Sequence, residues 1–144
     1  MKKAVLIITL LALFISIFGC GSPTEDFRSA FISAGYVEVE DFSLSEQISS
    51  HEHVEEEIVF APNGDNYNKL AIYKFSSADK LKSAIFENKS FINHIDGLTG
   101  KTPDELYNNA VEKGCVKENY LLLFVSISPV KKAEFIRIFS SVNV

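Results

Sequence analysis

The segment His51-Glu52-His53-Val54-Glu55-Glu56-Glu57 is the densest run of potential ligands in this 144-residue chain. In an extended backbone alternate side chains project to one side, so His51, His53, Glu55 and Glu57 would share a face. Two imidazoles with two carboxylates form a donor set suited to a first-row divalent metal. A zinc site wants three or four ligands braced by a second layer of hydrogen bonds, which residue types alone do not supply. The remaining histidine, His94, is distant in sequence, and acid-rich segments between strands are ordinarily solvated. Metal or small-solute capture by His51, His53, Glu55 and Glu57 is therefore the alternative reading, and a solvated segment the first.

Other patterns with chemical potential are weaker. Gly97-Leu98-Thr99-Gly100-Lys101-Thr102 suggests a phosphate-binding loop, but that motif requires a further glycine where this chain has Ile95. There is no Gly-x-Ser-x-Gly nucleophile turn, and the serines cluster where their hydroxyls cap helices and turns. Nothing singles out a carboxylate pair for acid–base work. Five tyrosines could line a contact surface, yet tyrosines in strands usually pack half-buried. No catalytic residue and no cofactor is assigned, and the chain is read as a binding protein rather than an enzyme.

The other informative cysteine-bearing segment is the N-terminus. Lys2 and Lys3 precede an uncharged, almost wholly apolar run from Ala4 to Phe18, followed by Gly19 and Cys20. That run is shorter than the ~20 residues a spanning helix needs, and its flanks are those of an export signal. Ile17-Phe18-Gly19-Cys20 resembles the lipobox of bacterial lipoproteins, with Phe18 bulkier than that family prefers. The resemblance implies a signal peptide over 1–19, a lipidated N-terminus and short tether over 20–22, and diacylglycerol on the Cys20 sulfur. An uncleaved anchor or a plain secretory signal would leave Cys20 no reason to sit at this place. The resemblance further implies an exported protein held at the cell membrane, on the outer membrane where the envelope has two. Gly21 stands where an aspartate would signal retention at the inner membrane.

Acylation of Cys20 leaves Cys115 as the remaining cysteine, so a disulfide framework is excluded. Cys115 lies in the apolar-leaning stretch Ala110 to Val116 and is expected to be a buried, unreactive thiol. Without Lys2 and Lys3 the formal charge moves from −5 to −7. An acidic domain repels phosphate backbones, so nucleic acid is not an expected partner. The partners expected are the membrane, through the lipid, and an envelope protein. From Thr24 to Glu57 there are ten acids against the single base Arg28, which argues for a domain held off an anionic bilayer.

These residues must be positioned by a single domain over 23–144. Ser22-Pro23-Thr24-Glu25 reads as a capped helix start, with Phe27, Ala30, Phe31 and Ala34 on one face and Gly35 as the stop. Tyr36 to Glu40 alternates as a strand, and because Phe42 and Leu44 are out of phase with Val37 and Val39, a bulge or the end of the strand is expected near Asp41. Val54 to Phe60 and Leu70 to Phe75 read as a hairpin around Pro62-Asn63-Gly64-Asp65. Ser76 or Ser77 caps a helix through Ile85, extending toward Phe91 or Ile95, and Thr102-Pro103 caps another ending near Asn109. A strand near Ala110 to Val116, a turn at Lys117 to Asn119 and an apolar strand from Tyr120 to Ile127, placed centrally in the sheet, follow. Ser128-Pro129 opens the closing helix with Phe135, Ile138, Phe139 and Val142 on its core face. The order α-β-β-β-α-α-β-β-α predicts an α+β two-layer sandwich: an antiparallel sheet of about five strands with helices on one face. The similar runs Glu56–Phe86 and Asn109–Phe139 suggest a ββα duplication.

Overall fold

The computed structural model describes residues 22–43, 51–65, 67–88, 95, 97–125 and 128–144. The signal segment and Cys20, the tail of the second predicted helix at Phe91, and Leu44, Ser126 and Ile127 lie outside the described residues. The element order matches the sequence expectation: α1 (Pro23–Ser33), β1 (Tyr36–Glu38), β2 (Val54–Pro62), β3 (Lys69–Phe75), α2 (Ala78–Glu87), α3 (Pro103–Glu112), β4 (Val116–Lys117), β5 (Tyr120–Val125) and α4 (Pro129–Ser141). All strand pairs are antiparallel, in the order β1-β2-β3-β5-β4.

Local chemistry sets the element boundaries. Ser22, Ser77, Thr102 and Ser128 each accept a hydrogen bond from the backbone amide three residues on, closing the first turns of the four helices. Proline occupies the first helical position of α1, α3 and α4, where its missing N–H costs nothing. After α1, Gly35 adopts φ +89°, a conformation that lets the chain reverse straight into β1.

The α+β class, the five-stranded antiparallel sheet and the packing of helices against it stand as expected. Phe60, Leu70 and Phe124 share one face by register, and Val59, Ala71 and Leu123 share the other. All six are buried. On the first face α1 and α4 supply the cover: Phe31 stacks on Phe60 with ring centroids 4.9 Å apart, Phe135 packs on Tyr36 and Phe124, and Phe27 stacks on Phe139. Helix α2 packs against β3 and β5, and α3 packs against α2 and β4. Lys82 of α2 joins this pair at its rim, 2.9 Å from Asp104 and over the ring of Tyr107. The sequence signature of two-sided burial was present in the near-continuous apolar runs Ile58–Ala61, Leu70–Tyr73 and Leu121–Phe124.

The clearest departure concerns element bounds in the second half. Helix α3 runs on to Glu112, so Ala110 packs as a helical residue and β4 shrinks to Val116–Lys117. Strand β5 is an interior strand flanked by β3 and β4, as its two apolar faces require. Strand β1 ends at Glu38, so of the two alternatives near Asp41 the strand end holds. The two ββα runs are not equivalent. A nine-residue β2 corresponds to a two-residue β4, so the similarity lies in shared capping chemistry more than in matching strands.

Candidate functional site

The His51–Glu57 segment is not one extended run. His51–His53 forms a 3-10 turn, and β2 begins at Val54. Val54 pairs with Phe75 but Glu56 pairs with Lys74, so a β-bulge places one extra residue in β2. The bulge breaks the alternation on which a shared ligand face depends. Glu55 sits 3.1 Å from the ammonium of Lys74. Glu57 instead lies opposite Tyr73, on the other face of the sheet, and accepts a 2.5 Å bond from the Ser43 hydroxyl. His53 is half-buried with its Nε2 3.5 Å from Glu52. Among the described residues no three His, Cys, Asp or Glu side chains converge as a metal site. Glu55 and Glu57 are thus separated by the bulge, and the side chain of His51 lies outside the described residues.

A different cluster forms at this end of the sheet. Thr24, in the first turn of α1, is 1% exposed. Its hydroxyl donates to the Glu56 carboxylate and lies 3.3 Å from the hydroxyl of Tyr120. Lys74 and Tyr120 are register partners, and Lys74 holds Glu55. Glu55, and beyond it Tyr120 and Glu56, hold the Lys74 ammonium above the ordinary lysine range. The cluster joins α1, β2, β3 and β5, so it fastens the first helix to the sheet. Sequence reasoning missed Thr24, Lys74 and Tyr120 as members of one cluster. Thr24 reads as an ordinary helix-start residue, and no local pattern reports a pairing across 96 positions.

Below the cluster, Tyr73 is fully buried. Burial, and then the charge of Glu57 beside it, push its hydroxyl far above the ordinary tyrosine value. Glu57 is close enough to that hydroxyl to raise it further as a hydrogen-bond acceptor, yet it stands outside strict hydrogen-bond geometry. The folded state therefore keeps a proton that the unfolded chain loses near pH 10, and stability falls as pH rises past that value. Tyr73→Phe should change stability at pH 7 by no more than about 1 kcal/mol, because no made bond is removed. It should also flatten the alkaline loss, with Tyr36 and Tyr107, raised by burial as well, retaining part of it. Urea unfolding of both proteins between neutral and alkaline pH checks this; a clear loss at pH 7 would mean that the hydroxyl is bonded.

The glycine-containing loop before α3 serves the helix itself. Lys101 N–H donates to Glu105 at 2.7 Å and Thr99 N–H to Asn109 at 3.0 Å, so two amides that a phosphate would need are already engaged. A Cβ at Gly100 would lie 2.7 Å from the backbone nitrogen of Leu106, so close packing accounts for that glycine. An open groove of about 530 Å³ beside it is walled by Thr99, Lys101, Glu105, Asn108 and Glu112, side chains that water solvates readily. Cys115 is 1% exposed, next to a cavity of about 250 Å³ bounded by Ile95, Ile136 and two lysines, in agreement with a buried thiol.

No helix among the described residues is long and apolar enough to cross a membrane. No protein-family model, curated protein or solved structure matches the chain.

Proposed function

We propose that this chain is an exported lipoprotein, acylated at Cys20, whose domain over 23–144 is a non-catalytic module that binds a partner in the cell envelope. The observation that carries the reading is the order of residues at the N-terminus: Lys2-Lys3, an apolar run too short to span, then Ile17-Phe18-Gly19-Cys20. Two further features support it. Only Gly21 separates the cysteine from the Ser22 cap of α1, so an ordered domain begins where a lipoprotein tether would end. The described clusters of polar residues serve capping and inter-element bonding, which favours a binding module over an enzyme. The lipid would place the domain on the outer face of the cytoplasmic membrane, or on the outer membrane of a two-membrane envelope.

Two or three acyl chains hold a protein firmly, because each buried CH₂ contributes about 0.8 kcal/mol. Only a thiol accepts the diacylglyceryl group, so Cys20→Ser should leave the precursor unprocessed or release the protein from membranes. Detergent phase partitioning and intact mass of wild type and variant read this directly. An unchanged partition and an unchanged mass would overturn the assignment.

A further inference from the structure

The strands give the domain two distinct ends. One carries the first turn of α1, the start of β2, the end of β3 and the β4–β5 turn, joined by the Thr24–Glu56 and Thr24–Tyr120 contacts and by Ser76 N–H on the His53 carbonyl. The other carries the β2–β3 loop and the start of α4, joined by the Ser128 amide on Asn68. That second loop is well braced, since Asp65 accepts bonds from the amides of Tyr67 and Asn68. Tyr67 and Val130, 80% and 78% exposed, stand on it.

We infer that the domain stands on the membrane on its Thr24–Glu56–Tyr120 end, with the Tyr67–Val130 end turned outward toward any partner. This rests on acylation at Cys20. Covalent reach decides which end is near: from Cys20 to Ser22 the chain extends at most ~7 Å, and to Thr24 at most ~14 Å. Thr24 is buried and bonded to two strands, so the tether has no slack beyond those residues. Strand β3, with seven residues, alone separates the two ends by ~23 Å, farther than the tether reaches.

Charge makes this pose informative. The near end exposes Glu52, Glu55, Glu56 and Glu118, with Lys74 already paired to Glu55. The far end holds Lys69, Lys131 and Lys132 around its loop and helix start, against Asp65 in the loop and Glu134, which pairs with Lys131. An anionic leaflet attracts lysines and repels glutamates, so on a flexible tether the domain would turn its lysine end down. The short tether and the Thr24 clamp hold it the other way, with the acidic end spaced from the headgroups.

The experiment uses the full lipidated chain in vesicles of phosphatidylethanolamine and phosphatidylglycerol that contain a headgroup-spin-labelled lipid. Glu52→Cys and Asn63→Cys variants, both exposed positions, each carry a thiol-linked fluorophore; Cys115 is left in place because it is buried. Quenching is expected to be several-fold stronger at position 52 than at position 63. Equal quenching, or stronger quenching at position 63, would overturn the pose while leaving the anchor intact. Protein that fails to float with the vesicles, or that accepts label at Cys20, would overturn the acylation reading and the pose together.

Discussion

Ending the chain before Ser128 should abolish the cooperative unfolding transition rather than lower its midpoint. Helix α4 places Phe135, Ile138 and Phe139 in the core, with Val142 buried just beyond it. Burying each large apolar side chain contributes roughly 1.5–3 kcal/mol. A domain whose whole stability is on the order of 5–15 kcal/mol does not survive loss of that stripe. The damage also spreads: Phe27, Tyr36 and Phe124 each lose one ring partner, and Lys117 loses the Ser140 and Val142 carbonyls that it bonds. Near-ultraviolet circular dichroism through a thermal melt reads the outcome. A sharp transition near the full-length midpoint would show that α4 is peripheral to the fold.

Phe31→Ala should cost about 3–5 kcal/mol, the range for emptying a large aromatic site in a core. Phe31 is fully buried and touches Phe60, Tyr36 and Phe135, so α1, β1, β2 and α4 all meet at its ring. Its neighbour Ile32 is 55% exposed, and Ile32→Ala should stay within about 0.5 kcal/mol. The contrast between adjacent positions of one helix makes the measurement specific to the face. Urea midpoints for the two variants that shifted equally would refute the packing described for α1.

The capping residues show what is local in this fold. Ser22, Ser77, Thr102 and Ser128 each answer an unsatisfied amide a few residues away, so the helix starts are legible without any tertiary knowledge. Helix ends are less so. Nothing near Asn109 stops α3, and it continues until Gly114, at φ +71°, turns the chain. The turn at Glu118, itself at φ +52°, is held by the Tyr107 hydroxyl on its carbonyl, a bond from the preceding helix that no turn motif announces.

The ligand segment shows the opposite limit. Its residue types were legible, but their shared face depended on unbroken alternation. One inserted residue in β2 sends Glu55 to Lys74 and Glu57 to Tyr73, on opposite faces of the sheet. A bulge is a property of the pairing between two strands, and neither strand alone encodes it.

By itself the sequence determined the element order, the antiparallel α+β class and the burial of Cys115, because capping, alternation and apolar runs act over a few residues. Only the tertiary structure decided which helices pack on which strands, and that Thr24 meets Glu56 and Tyr120. Those outcomes depend on register and on surfaces brought together from distant parts of the chain, where the energy of burial and not local propensity selects the arrangement.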